Sequence, residues 1–214
     1  MSNQKIAILG GTGYSGSNIA HEATRRGYTV TAVARTAPKD ALAGVTYVQG
    51  SIADEALLNK LAADHDVLVV AIRAIDGVLH ASLPALTRAA IAGKARVGHV
   101  SGASSSLVAK GGTRLLDTPE FPVAYKVEAS TCADVLDWFR SKSPAELDWF
   151  SVTPPAGYTP TNPGQGLGRY RRGGDQLVTD GHGLSYISGA DLALAFVDEI
   201  ATPTLHRARV TIGY

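Results

Sequence analysis

Ile6-Ala7-Ile8-Leu9-Gly10-Gly11-Thr12-Gly13-Tyr14-Ser15-Gly16 decides the fold of this chain. The apolar run over residues 6–9 reads as a strand, the glycines as a turn, and the residues through Asn18-Ile19-Ala20 to about Arg26 as a helix. Gly-x-Gly-x-x-Gly alone is a weak pattern; a strand before it and a helix after it give it meaning. Gly11 then permits a tight turn, Gly13 lets the backbone approach a pyrophosphate, and Gly16 lets helix and strand pack closely. The helix start turns N–H groups and the positive end of its dipole toward the phosphates. Gly10, Gly11, Thr12, Gly13, Tyr14, Ser15 and Gly16 are therefore expected to bind a dinucleotide.

Outward from this motif, strands and helices alternate. Strands are expected over residues 29–34, 45–48, 67–70, 96–101 and 149–152, and helices over 54–62, 80–92 and 125–140. Val67-Leu68-Val69-Val70 is continuously apolar, as strands buried on both faces are. Such alternation implies a parallel sheet with right-handed crossovers, hence an α/β, doubly wound (Rossmann) fold in a single domain over residues 1–214. Residues 153–168 break the pattern with four prolines and four glycines, which forbids a continuous helix or central strand. A loop of this length is usually functional, and this one leaves the carboxyl end of the sixth strand, where open α/β sheets bind ligands. Segments 176–179 and 184–187 flank Asp180-Gly181-His182-Gly183 and predict a small hairpin, so residues 153–189 form the expected substrate-facing region. A helix over 190–200 and a strand over 208–212 complete the pattern.

Composition narrows the function classes. At 45% apolar and 18% charged residues the chain is an ordinary globular protein, and a net charge of +1 offers no nucleic-acid surface. Cys132 is the one cysteine, which excludes an internal disulfide or a cysteine metal cluster, and the six histidines form no close ligand pair. No apolar stretch reaches a membrane span, and no signal peptide precedes the first strand, so a cytoplasmic protein without membrane contact is expected. Gly98-His99-Val100-Ser101-Gly102 is no nucleophile elbow, because its glycine stands three residues before the serine and not two.

In an NAD site the second strand usually ends in an acid that binds the ribose hydroxyls. Here it ends Val33-Ala34-Arg35-Thr36, with no acid before Asp40. The fork of Arg35 suits a 2′-phosphate and can stack on adenine, which favours NADP(H) over NAD, the alternative cofactor. Ser51 and Ile52 end the third strand and are expected to border adenine; Ala71, Ile72 and Arg73 end the fourth and run beside the cofactor ribose.

The chain also resembles the atypical short-chain dehydrogenase/reductases, and within them the NADH-flavin reductase group related to biliverdin-IXβ reductase and the NmrA-like proteins. The resemblance spans nearly the whole chain. Residues 8–16 carry it, with Arg114-Leu115-Leu116-Asp117-Thr118-Pro119-Glu120-Phe121-Pro122, Tyr125-Lys126, Gly173-Gly174-Asp175-Gln176-Leu177 and Tyr186-Ile187-Ser188-x-x-Asp191-Leu192-Ala193. It implies one Rossmann domain, a nicotinamide cofactor, and hydride transfer to a flavin (FMN or FAD) or a similar flat acceptor. Two departures stand out. Members commonly carry Gly-Gly-Ala-Gly-Ser after the fifth strand, where this chain has Ser101-Gly102-Ala103-Ser104-Ser105, and Gly-Asp after the third, where it has Gly50-Ser51.

The Tyr-x-x-x-Lys dyad of short-chain dehydrogenases is broken, since Tyr125 is followed four residues later by Ala129 and Lys126 projects about 100° away. A flavin acceptor tolerates this. Ser101, Ser105 and Tyr125 are the candidate catalytic residues: the serines either orient the nicotinamide or an acceptor oxygen, or satisfy a turn, and Tyr125 either meets the acceptor or merely begins a helix. Arg169, Arg171 and Arg172, with Lys142, form either a solvated face or a basic patch for a phosphate of FMN or NADP(H). The expected function is an NADPH-dependent reductase, monomeric or homodimeric, with a small-molecule acceptor. A quinone or small-carbonyl reductase and a non-enzymatic NmrA-like redox sensor are the alternatives.

Overall fold

Residues 4–214 are described by the computed structural model. Strand β1 (Lys5–Leu9) passes through residues 10–13 into helix α1 (Tyr14–Arg25). The chain continues through β2 (Thr29–Ala34), β3 (Val45–Gln49), α2 (Glu55–Asp64), β4 (Val67–Val70), α3 (Val78–Gly93) and β5 (Arg96–Val100). After three short 3-10 turns come α4 (Lys126–Ser141), β6 (Trp149–Thr153), β7 (Arg171–Gly174), α5 (Gly189–Ala201) and β8 (Ala208–Gly213). The strands form one sheet in the order β3-β2-β1-β4-β5-β6-β8-β7, parallel throughout except for β7 against β8. This is the α/β, doubly wound Rossmann-like fold expected.

Strand period two explains the two cores. Ala7 and Leu9 of β1 face the α2–α3–α4 layer with Leu68, Val70, Val97 and Trp149. Ile6 and Ile8 face the α1–α5 layer with Val67, Val69, Phe150 and Val210. A strand covered on both faces must be apolar at every position, which is why β4 lacks alternation. Gly98 of β5 is a packing glycine: a Cβ there would stand 2.5 Å from Phe150 and 2.8 Å from Phe196.

The expected hairpin is corrected. The Asp180 turn forms, with the Asp180 carboxylate accepting from the His182 and Leu184 amides at 2.8 Å each. Its flanks are bridged by the Ser185 hydroxyl donating to the Val178 carbonyl, but their backbones bond elsewhere: the Leu177 amide donates to Leu107 and the Ser185 carbonyl accepts from Gly157, all at 2.8 Å. The antiparallel strand that does form, β7, lies upstream and takes the sheet edge beside β8.

Candidate functional site

Sheet order reverses between β1 and β4, and a cleft of about 510 Å³ opens there, at the carboxyl ends of β1, β2, β3 and β4. That volume lies within the ~300–1,000 Å³ usual for small-molecule sites, at the switch point where such folds bind them. Gly10, Thr12, Gly13, Arg35, Thr36, Ser51, Ile52, Ala71, Ile72 and Arg73 all line it. Gly11, Tyr14, Ser15 and Gly16 do not. Gly50, Ile75, Asp76 and Val78 do, though sequence reasoning passes over them. Gly50 has a signal, the Gly-Asp position after the third strand in related reductases; the β4–α3 connection has none.

The glycines of the turn have different duties. Gly10 takes φ +84°, and a Cβ on Gly16 would run into the Gly10 carbonyl, so these two let α1 sit against β1. A Cβ on Gly11 would stand 2.6 Å from that of Ala32. Gly13 differs: a Cβ there would meet only the Gly10 carbonyl, at 3.3 Å. It is the N-cap of α1, has no side chain to accept from the first-turn amides, and is exposed at the cleft. Those N–H groups, at a helix start with no acid in its first turn, keep their capacity for an outside anion. The chain's residues thus fit a dinucleotide: a cradle free of Cβ atoms, a donor-rich helix start, and a cleft of matching size.

Arg35 is exposed on the cleft rim just past β2, its carbonyl accepting from Gln49 Nε2 at 3.1 Å. Ser51 spends its hydroxyl locally, accepting from the Ala53 amide at 3.2 Å, while Ile52 is buried in the core behind the cleft. Arg73 reaches across to α4 and makes a two-pronged pair with Glu128 at 3.0 and 2.8 Å.

Serines 101–106 stand apart from this cleft, after β5. Ser104 Oγ donates to the Ala129 carbonyl of α4 at 2.9 Å, tying the turn to that helix, and Ser105 Oγ contacts the Gly102 carbonyl of its own turn at 3.5 Å, so both hydroxyls are spent on backbone. Ser101 Oγ is buried and has no hydrogen-bond partner among the described residues. Behind the turn lies a polar interior. Arg209 of β8 is buried, approaches Ser106 Oγ at 3.3 Å and the Ser105 carbonyl at 3.4 Å, and pairs with Asp175 at 2.6 Å. Burial lowers the pKa of Arg209, and the adjoining Asp175 carboxylate opposes that shift. His99, within 3.3 Å of Ser151 Oγ, is pushed down to about 4 by burial and is neutral. Tyr125 is 63% exposed at the start of α4 and does not reach the cleft.

The basic patch is also corrected. Arg171 donates to the Thr179 carbonyl at 2.6 Å, whereas Arg172 turns to Thr204 at 3.1 Å and Glu199 at 3.6 Å. Adjacent strand residues point to opposite faces, so these arginines diverge. Asp191 ties distant segments together: its carboxylate accepts from the Leu167 and Gly168 amides at 2.6 and 2.9 Å and from the Tyr214 hydroxyl. Among the described residues no helix is long and apolar enough to cross a membrane.

Comparison with known proteins agrees with the geometry. Residues 10–203 match the model of an NAD(P)H-binding family. An uncharacterized protein of Bacillus subtilis, YwnB, is 34% identical over 214 residues, with 97% of each chain covered. A candidate NADH-flavin reductase of Streptococcus pneumoniae superposes with a TM-score of 0.87 at 30% identity, over 98% of this chain and 99% of that one. A candidate epimerase of Bacteroides thetaiotaomicron gives 0.88 at 28% identity, over 100% and 98%.

Proposed function

The chain belongs to the NAD(P)H-binding family, and from that premise we propose that it is an NADPH-dependent reductase whose acceptor is a flavin or another flat ring system. The observation that carries the reading is the cleft, which brings the glycine turn and Arg35 to its lining. The first-turn amides of α1 bind the pyrophosphate, and Arg35 binds the 2′-phosphate in charge-assisted hydrogen bonds. Gly50, Ser51 and Ile52 border the adenine, and Ala71, Ile72 and Arg73 the ribose beyond it. Bound NADPH supplies the hydride. The chain's own part is to hold donor and acceptor rings in register and keep water out, and such positioning supplies much of the rate.

A flat acceptor that takes hydride directly needs no positioned general acid, which suits a chain whose Tyr125 is exposed and has no lysine four residues on. The kinship with a candidate flavin reductase of Streptococcus pneumoniae supports the same acceptor class. A second reading is reduction of a quinone or small carbonyl; the Ser101 hydroxyl just after β5, buried and without a partner among the described residues, is the one hydroxyl of that turn left unspent. Consumption of NADPH and NADH with added FMN, FAD, quinone and aldehyde tests both readings. The expected result is oxidation that prefers NADPH and depends on added flavin. Dependence on the quinone or aldehyde alone selects the second reading, and tight NADPH binding without turnover of any acceptor makes the protein a dinucleotide sensor.

A further inference from the structure

Among the described residues two arginines line the cleft, and they are differently occupied. Arg35, past β2, is exposed and pairs with no described carboxylate. Arg73, past β4, has both prongs on Glu128 in the first turn of α4, at 3.0 and 2.8 Å. Its side chain is 73% exposed and that of Glu128 33%. A pair so open to water adds little to stability, so what Glu128 chiefly changes is the charge that Arg73 offers a ligand.

The pair stands in apolar surroundings. Ile75 and Val78, which follow Arg73 along the cleft lining, are exposed, as are Val123, Tyr125 and Val127, which lead into Glu128. Asp76, the one carboxylate among the described lining residues, adds a negative charge. Lys126 lies two residues before Glu128, about 200° round the helix, and faces elsewhere. The end of the cleft away from Arg35 therefore combines exposed apolar surface with no net positive charge.

We propose that Glu128 is a specificity-determining residue: by neutralising Arg73 it makes the acceptor end of the cleft read a ring system and not a phosphate, so that riboflavin and FMN are equivalent acceptors. The inference rests on the dinucleotide and flavin readings above. A dinucleotide with its adenine at β2 and β3 runs past β1 toward β4, which brings its nicotinamide, and the acceptor stacked on it, to the Arg73 end. An unpaired guanidinium there would fork onto a phosphate ester, and phosphorylated flavins would be favoured. With both prongs on Glu128, a phosphate must displace one anion to seat another, and little is gained. Apolar side chains on both flanks then supply the binding, by taking a flat uncharged face out of water. Charge selects the hydride donor at one end, and ring shape selects the acceptor at the other.

Quenching of flavin fluorescence on the NADP⁺-loaded full chain, with steady-state reduction beside it, tests this with riboflavin and FMN. The parent is expected to bind and reduce the two within about threefold of each other. Glu128→Gln keeps the side-chain shape and removes the charge. It should raise the preference for FMN over riboflavin about tenfold at low salt, the low end for a charge-assisted hydrogen bond, and about 0.5 M salt should erase most of the gain. Adding Arg73→Ala to that variant should return the preference to the parent's. A parent that prefers FMN by more than about threefold, an unchanged preference in Glu128→Gln, or a gain that survives the loss of Arg73 would each overturn the proposal. Calorimetry with ADP-ribose separates the two ends: if Glu128→Gln tightens ADP-ribose as much as FMN, Arg73 serves the dinucleotide and the proposal falls. A parent that neither binds nor reduces either flavin ends the flavin reading itself, and this inference with it.

Discussion

The turn after β1 and the turn after β5 open at the same edge of the sheet, yet one presents backbone and the other hides side chains. Residues 10–16 leave the first-turn amides of α1 free and expose Gly13 at the cleft. Residues 101–106 turn inward: Ser104 and Ser105 meet backbone carbonyls, and Ser106 meets the buried Arg209. The first turn rests on an apolar core, the second on a polar interior containing His99, Ser151, Thr153 and Arg209. A site made of backbone is marked by missing side chains, a pattern any chain can display locally. A site made of side chains depends on which partners the fold brings, and here most of the serine hydroxyls are already engaged.

The largest effects should come from the glycine turn and separate its two kinds of glycine. Gly16→Val, pressed into the Gly10 carbonyl, should abolish cooperative unfolding in a thermal melt. Gly13→Val should melt close to the parent and bind no dinucleotide in a fluorescence titration, because its Cβ meets only the Gly10 carbonyl, at 3.3 Å, and the rest of the side chain fills ligand space. A Gly13 variant that still titrates would place the site elsewhere.

Next in size is Arg35→Ala. Loss of a charge-assisted hydrogen bond is worth about 1.5–3 kcal/mol, so NADPH affinity should fall roughly 10- to 150-fold while NADH is spared. Equal weakening of both cofactors would reduce Arg35 to a stacking surface for adenine.

The polar interior beneath the serine turn should show itself in pH dependence. His99 has a folded pKa of about 4, below its unfolded value of about 6.5. Between the two, the unfolded chain binds the extra proton, so stability falls as pH drops. At pH 5.5 the loss relative to neutral pH should be on the order of 1 kcal/mol, most of a factor of ten in the folding equilibrium. Urea unfolding of the parent and of His99→Gln measures it; a slope that persists unchanged in the variant assigns the titration to other groups.

The smallest effects belong to the turn's own hydroxyls. Ser105→Ala and Tyr125→Phe should each lower flavin turnover less than about tenfold, well short of the ~10²–10⁴ attached to a general acid or base. A loss above about a thousandfold from either, with acceptor binding intact, would point to proton-coupled carbonyl reduction and end the flavin reading.

Much of the fold and of the cleft is legible in the sequence. The strand–turn–helix over residues 6–26 follows from steric rules acting within a few residues, and ten of the expected cofactor residues do share one cleft. Tyr14 and Ser15 stand in the expected turn, but the contacts of their side chains with Pro163 and Tyr158 have no local signal, since those partners lie 149 and 143 residues away. The hairpin fails for a similar reason: its turn chemistry at Asp180 is sound, while its flanks are claimed by Leu107 and Gly157.

Sequence alone therefore determined the α/β alternation, the glycine turn and the basic end of β2, because backbone sterics, strand periodicity and helix-start geometry act at fixed short offsets. Tertiary structure alone decided which glycine faces the cleft and which faces packing, that Arg171 and Arg172 diverge, and that Tyr158, Asp191, Tyr214 and Arg209 tie distant segments together. Those outcomes hang on pairings between residues far apart in the chain. A hydroxyl or carboxylate takes whichever partner the packed layers deliver within about 3 Å, and no local pattern names that partner in advance.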